Sequence, residues 1–140
     1  MEFEDIRPFL EANHQAVVTT FQSNGAVQAS IVVAGAYDGA AAFVSIRGSS
    51  AKVRNLRRDA RCTVLTVTDG WRSYAVVEGT AQLFDASNTD SEQLRVLLRA
   101  VYSACGGGEH PDWEEYDQVM RQQKAVAVLV QPERIYGLLR

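Results

Sequence analysis

Hydrophobic and polar residues alternate along much of this chain, in short runs that are separated by turn residues. Such period-two alternation predicts half-buried strands, and the predicted strands cover residues 15–21, 26–34, 41–46, 61–67, 73–84 and 125–130. The first two runs flank Asn24-Gly25, the strongest short hairpin signal, because both residues tolerate positive φ. Tyr37-Asp38-Gly39 predicts a second turn, and Pro132 is expected to close the last strand.

Helical periodicity replaces the alternation at the N-terminus and again in the middle of the chain. Apolar residues recur at helical spacing in the segment 2–13, but Pro8 is unfavourable inside a helix. We therefore expect this helix to begin just before Pro8. A second, short helix is predicted to start at a cap formed by Ser49 or Ser50 and to end at Arg58.

Two further helices are predicted in the last third of the chain. Thr89 and Glu92 match the spacing of a capping box, and the helix that follows them is expected to end at the glycines 106–108. Pro111 is expected to open the last helix. About six strands joined by short turns, with three to four helices, predict a mainly β, antiparallel barrel decorated with helices, in one domain over residues 1–140.

Composition narrows the class of protein. The chain has 140 residues, of which 46% are hydrophobic and 22% charged, as in ordinary globular domains. No apolar run approaches the roughly 20 residues that span a bilayer, and the acidic N-terminus does not resemble a signal peptide. Two distant cysteines, Cys62 and Cys105, favour reduced thiols and a cytoplasmic location. The pI near 5.4 disfavours a dedicated nucleic-acid-binding protein.

One segment stands apart from this acidic background, and we call residues 47–61 the basic segment. It holds six of the fourteen Lys and Arg residues and one acid, so it carries +5 while the whole chain carries −3. A solvated helix face would explain the charges. The Gly-Ser-Ser turn before Lys52 favours a phosphate-binding site instead, since backbone N–H groups and a helix N-terminus attract anions. Nucleic acid is disfavoured because no aromatic residues interleave the cations.

Other candidate chemistry is sparse. His14 and His110 have no partner at metal-ligand spacing, so no metal site is predicted, and no nucleophile–base pair is evident. Trp71 and Tyr74 stand near the start of a strand, where they either pack or stack against a planar ring. An enzyme without its own acid, base, metal or nucleophile usually depends on a cofactor, which fits a phosphate-bearing redox cofactor.

Three stretches of the chain carry a resemblance to a known family. They are Ala51–Asp59, Asp69–Leu83, and Gly108–Met120 together with the terminal Ile135-Tyr136-Gly137. With these stretches the chain resembles the split β-barrel superfamily of pyridoxamine-phosphate-oxidase-like flavoproteins and deazaflavin reductases. It is most similar to the subgroup of oxidoreductases that depend on coenzyme F-420. The resemblance covers nearly the whole chain and implies an antiparallel FMN-binding split β-barrel.

The resemblance also implies a site and an activity. It implies a homodimer with two cofactor sites at the subunit interface, and hydride transfer between F-420 and a small conjugated substrate. The implied cofactor contacts are Gln28, Ser30, Val32, Ser45, Ile46, Arg47, Ser50, Ala51 and Lys52, with Trp71 and Tyr74 approaching from the partner subunit. Lys52 would bind the phosphate, and no catalytic residue is assigned. FMN as the cofactor, or a non-catalytic flavin- or haem-binding protein on the same fold, are the alternatives.

Overall fold

The computed structural model describes all residues from Met1 to Arg140. Its helices are α1 (Phe3–Ala12), α2 (Ala51–Arg58), α3 (Ser91–Tyr102) and α4 (Trp113–Gln123), and a π-helical turn, Ser103–Gly107, follows α3. Its strands are β1 (Gln15–Phe21), β2 (Val27–Val33), β3 (Gly35–Tyr37), β4 (Ala40–Ser45), β5 (Arg61–Val67), β6 (Tyr74–Phe84) and β7 (Val126–Leu138).

All seven strands form one antiparallel sheet in the order β2-β1-β5-β6-β7-β4-β3. β2 lies at one edge and β4 lies next to the opposite edge, yet these two strands approach each other. The sheet therefore curls on itself, and the prediction of a mainly β, antiparallel split barrel with helices is confirmed. The β1–β2 hairpin turns at Asn24-Gly25 as predicted, with Gly25 at φ 86, a conformation that glycine adopts without strain.

The main core lies inside the curl of the sheet. Alternate residues of the strands point into it, among them Val18, Val64 and Phe43, which are almost completely buried. α1 adds Ile6 and α2 adds Val53, each with no exposed surface. Full burial of one such side chain stabilises the fold by about 1.5–3 kcal/mol. The helix that carries the basic segment is thus fixed to the barrel by its apolar face.

The N-terminal helix begins earlier than predicted. α1 starts at Phe3 and contains Pro8, so the prediction that the helix starts just before Pro8 is wrong. Proline removes the N–H group that would bond to the carbonyl oxygen of Glu4, but both residues are exposed and water can satisfy that carbonyl. The Asp5 carboxylate accepts a hydrogen bond from the Glu2 N–H at 2.7 Å, which supports the earlier start.

The last strand is longer than predicted. β7 runs through Pro132 to Leu138 and pairs with β6 along its length, so Pro132 does not close it. The pairing is irregular beside Glu78 and Gly79, where Glu133 is the extra residue of a bulge. Proline is tolerated at such a bulge because its missing N–H is not needed for the ladder. A Cβ on Gly79 would lie 1.8 Å from the Gln131 carbonyl oxygen, so this close pairing requires glycine.

The starts of α2 and α3 differ in how well the sequence predicted them. Ser50 is the N-cap of α2, as predicted, and its hydroxyl accepts a hydrogen bond from the Val53 N–H at 3.4 Å. The predicted capping box of Thr89 and Glu92 is wrong. Asp90 caps α3 instead, and its carboxylate accepts the N–H of Glu92 at 3.1 Å. A carboxylate at this position also benefits from the helix dipole.

The segment between α3 and α4 packs closely against other parts of the chain. Ser103–Gly107 forms a π-helical turn, with Gly106 at φ 90. A Cβ on Gly106 would lie 2.5 Å from the His14 ring, so a side chain there would displace the turn. α4 begins at Trp113 with Asp112 as its cap, two residues later than Pro111 predicts.

No helix in the structure is long and apolar enough to cross a membrane. No group of three or more His, Cys, Asp and Glu side chains is arranged to hold a metal ion. Cys62 and Cys105 are both free and buried, and burial raises the pKa of each thiol to about 12. Neither thiol is therefore suited to act as a nucleophile at neutral pH.

Candidate functional site

The loop 46–50 joins β4 to α2 and is held by backbone contacts against the end of α4. The Gly48 N–H donates a hydrogen bond to the Gln123 carbonyl oxygen at 3.0 Å. A Cβ on Gly48 would lie 2.1 Å from the carbonyl oxygen of Lys124, so only glycine permits this approach. The loop consequently has a fixed position relative to both helices.

Two serine hydroxyls brace the same loop from inside. The Ser45 hydroxyl donates to the Arg47 carbonyl oxygen at 3.1 Å and lies 3.0 Å from the Ser50 hydroxyl. Because the Ser45 hydrogen is committed to Arg47, Ser50 is the donor in the bond between the two hydroxyls. Ser50 also accepts from the Val53 N–H, so these serines fix the backbone that carries Arg47 and starts α2.

A groove of 570 Å³ lies between this loop, β2 and the start of α2, and we call it the basic groove. Seven of the cofactor contacts implied by the sequence resemblance line it together: Val32, Ser45, Ile46, Arg47, Ser50, Ala51 and Lys52. Sequence reasoning missed Arg54, which also lines the groove and donates to the Ser49 carbonyl oxygen at 2.6 Å. Residues two apart on a helix do not normally face the same side, so helical spacing did not group Arg54 with Lys52.

The cations of the basic groove lack counter-charges. Arg47, Lys52 and Arg54 take part in none of the ion pairs of the chain. Burial lowers the pKa of Lys52 below its usual value of 10.5, and the positive charge of Arg47 lowers it further. An anion placed beside Lys52 would offset both effects, and the N-terminus of α2 adds its favourable dipole.

The other half of the basic segment is engaged in structural contacts. Arg57 forms an ion pair with the buried Asp85, at 2.6 Å between Nη2 and Oδ2. Arg58 donates to the Phe21 carbonyl oxygen at 2.9 Å, and Arg61 pairs with Asp59 at 2.6 Å. None of these three arginines lines the basic groove.

Gln28 and Ser30 share the face of β2 that carries Val32, but neither lines the groove. The Gln28 side-chain oxygen instead accepts a hydrogen bond from the buried Asn55 at 3.2 Å, and Asn55 also donates to Thr20 at 3.1 Å. Gln28 therefore helps to hold α2 against the sheet. The implied contact of Gln28 and Ser30 with a cofactor ring stays a prediction.

Trp71 and Tyr74 lie outside the basic groove of their own chain. Trp71 stands in the turn between β5 and β6 at φ 62, and its side chain is 81% exposed. Tyr74 starts β6 opposite Val67 and Leu138 and is also exposed. Their predicted approach from a partner subunit is compatible with this exposure and stays a prediction.

A second cavity adjoins the basic groove, has a volume of 510 Å³, and is called the apolar pocket below. Val33, Val44 and Ile46 line both cavities, and the other walls come from Tyr102 at the end of α3, the π-helical turn, α4 and the residues just before it. Sequence reasoning did not find this pocket, because its walls come from three distant parts of the chain. The only signal was the glycine-rich segment that leads into Gly108–Met120.

The comparison with protein families identifies the class of protein. The model of the pyridoxamine 5'-phosphate oxidase family matches residues 3–139. The chain therefore belongs to this family, as the sequence resemblance predicts.

Solved structures agree on the fold. A conserved hypothetical protein from Mycobacterium tuberculosis superimposes with a TM-score of 0.76 at 20% identity, covering 99% of this chain and 84% of that one. An F-420 reductase gives a TM-score of 0.66 at 15% identity, covering 93% and 94% of the two chains. A haem storage protein from Vibrio cholerae gives 0.68 at 16% identity, covering 97% and 94%. At these identities the similarity concerns the fold alone.

Proposed function

We propose that this protein is an oxidoreductase that binds coenzyme F-420 in the basic groove and exchanges hydride with a small conjugated substrate. The observation that carries this proposal is the pair of uncompensated cations, Arg47 and Lys52, beside the N-terminus of α2. A phosphate fits this donor set, since it would pair with Lys52 and relieve its repulsion from Arg47. The similarity in fold to an F-420 reductase supports the same reading.

The chain itself would bind and orient the cofactor. When bound, a deazaflavin or flavin supplies the ring atom that accepts or donates hydride. Lys52 and Arg47 would hold the phosphate, while Ile31, Val33 and Val44 form an apolar wall against which a flat ring can lie. Such a wall would orient the ring, which is a contribution that a protein makes to cofactor chemistry.

We propose further that the working form is a homodimer. β2 is an edge strand whose outer face exposes Val27 at 59%, Ile31 at 89% and Val33 at 62%. An apolar edge strand of this kind favours association with another chain. Because Ile31 and Val33 also line the basic groove, a second copy on this face would cover the groove. The sequence resemblance implies that Trp71 and Tyr74 of the partner subunit would then approach the cofactor.

FMN is the alternative cofactor. Its single phosphate could bind Lys52 equally well, but its tail is shorter than the lactyl-glutamyl tail of F-420. The basic groove continues from Lys52 to the exposed Arg54, which favours a longer anionic tail. A non-catalytic flavin- or haem-binding protein is the third alternative, and it is supported by the similarity in fold to a haem storage protein.

Separate titrations of the purified protein with F-420 and with FMN, followed by cofactor fluorescence, test the proposal. We expect a saturable change with F-420 and weaker binding of FMN. Tight FMN binding without a saturable change for F-420 would transfer the assignment to FMN. Absence of binding for both would rule out the cofactor function, and a Soret band on addition of hemin would then favour haem.

A further inference from the structure

We propose that the apolar pocket binds the substrate, and that it selects an uncharged, flat ring compound carrying a hydrogen-bond acceptor, which His110 orients. This inference rests on the proposed function, because it assigns the basic groove to the cofactor. Val33, Val44 and Ile46 form the boundary that the groove and the pocket share. A ring in the pocket would therefore lie next to a cofactor ring that is held against Val33 and Val44.

Two polar side chains in the walls of the pocket, Cys105 and Tyr116, form hydrogen bonds with other parts of the chain. The Tyr116 hydroxyl donates to the Leu98 carbonyl oxygen at 2.9 Å, and the Cys105 thiol donates to the Ala42 carbonyl oxygen at 3.4 Å. Both groups thus present their apolar parts to the cavity. The rings of Tyr102 and Tyr116 pack against each other with centroids 5.1 Å apart, which gives the wall a fixed shape.

His110 supplies a hydrogen-bond donor at this wall. Its Nδ1 accepts the backbone N–H of Asp112 at 2.9 Å, so the neutral ring carries its proton on Nε2. Nε2 has no hydrogen-bond partner within the chain. The ring packs against both Tyr102 and Tyr116, at centroid distances of 5.3 and 5.4 Å, which restricts its orientation. A carbonyl or similar acceptor on the substrate would satisfy it.

The two cavities differ in the charge of the side chains that line them. Arg47, Lys52 and Arg54 line only the basic groove, whereas the apolar pocket has one carboxylate, Glu115, and no lysine or arginine. A carboxylate near the mouth disfavours an anionic ligand. The groove therefore suits the anionic cofactor and the pocket suits an uncharged partner, so the two ligands would not compete for the same site.

Nuclear magnetic resonance can observe the apolar pocket, because one of the two tryptophans of the chain, Trp113, lies beside His110. The Trp113 ring lies 5.5 Å from the His110 ring, whereas Trp71 does not line the pocket of its own chain. Chromone, a flat two-ring ketone, is the probe, and naphthalene is its matched control without an acceptor. We expect chromone to shift the indole N–H signal of Trp113 saturably and to bind more tightly than naphthalene.

Two pairs of variants locate the contact. His110→Asn keeps an acceptor for the Asp112 N–H but lacks the Nε2 donor, and His110→Gln places an amide donor near the Nε2 position. We expect the Asn variant to lose about three- to tenfold in chromone affinity, with naphthalene unchanged, and the Gln variant to recover part of the loss. Val119→Phe should fill the pocket and weaken both probes, whereas Val96→Phe, on the exposed face of α3, should weaken neither.

Cofactor titration of the same samples separates failure of this inference from failure of the proposed function. If F-420 binds but chromone leaves Trp113 unshifted, or binds equally to both His110 variants and the parent, the substrate pocket is wrong while the cofactor groove stands. If bound F-420 is displaced by chromone, the pocket belongs to the cofactor and the inference is overturned. A Soret band that depends on His110 would likewise overturn it in favour of a haem site.

Discussion

The two halves of the basic segment carry the same charge but have different surroundings. Arg47, Lys52 and Arg54 face an open groove and form no ion pairs, while Arg57 and Arg61 are each paired with an aspartate. The first half is therefore available to bind an anion, and the second half maintains the fold. Net charge along a sequence does not distinguish these roles; the presence of a counter-charge within the chain does.

The largest expected effect on stability comes from Arg57→Ala. This change leaves the buried Asp85 carboxylate, which is 5% exposed, without its cationic partner, although Ser87 still donates to it. We expect the free energy of unfolding to fall by about 1–3 kcal/mol in urea denaturation. Cofactor affinity should change less than twofold, and a large loss of affinity with intact stability would contradict the division between the two halves.

Lowering the pH should remove the stabilisation that the Arg57–Asp85 ion pair provides. Burial raises the pKa of Asp85, but hydrogen bonds from Ser87 and Arg57 outweigh it and bring the pKa below the ordinary 3.8. Because the pKa of Asp85 is lower in the folded than in the unfolded protein, the ionised carboxylate stabilises the native state at pH values above the unfolded pKa. This stabilisation is lost as the pH falls through the folded pKa. We therefore expect stability to decline below about pH 4. The decline should be shallower in Arg57→Ala, and an equal slope in both proteins would argue against the pair.

The smallest effect is expected for Arg61→Ala. The Arg61–Asp59 pair is exposed, and exposed pairs contribute little to stability. The melting temperature should stay within error of the parent. Hydrogen bonds from Arg61 lower the pKa of Asp59 to about 2, so its carboxyl pKa, followed by carbon-detected magnetic resonance, should rise towards 3.8 in the variant. A melting temperature as low as that of Arg57→Ala would show that this pair also supports the fold.

Some parts of the fold that depend on local sequence were predicted correctly, although the start of α1 and the cap of α3 were not. β1, β5 and the Ser50 cap of α2 fall where alternation and capping chemistry place them. The parts that depend on distant partners were not. β7 continues through Pro132 because β6 tolerates a bulge opposite it, and no pattern near Pro132 indicates that partner.

The candidate site shows the same division. Residues 45–52 are contiguous, so a strand end, a turn and a helix start bring them together in the basic groove. The apolar pocket instead joins Val33, Cys105 and Val119, which only the tertiary fold makes neighbours. Sequence reasoning also could not separate Lys52 from Arg57, because their difference is the presence of Asp85 twenty-eight residues beyond Arg57.

The most direct test of the account compares the cofactor affinity of the Lys52→Ala variant with that of the Arg57→Ala variant. Both changes remove one cation from the same helix, but only Lys52 lines the basic groove. Loss of a charge-assisted contact to phosphate should weaken binding of the cofactor by about tenfold or more in Lys52→Ala, and Arg57→Ala should change it less than twofold. Equal and small losses in the two variants would contradict the account and return the whole basic segment to a solvated helix face.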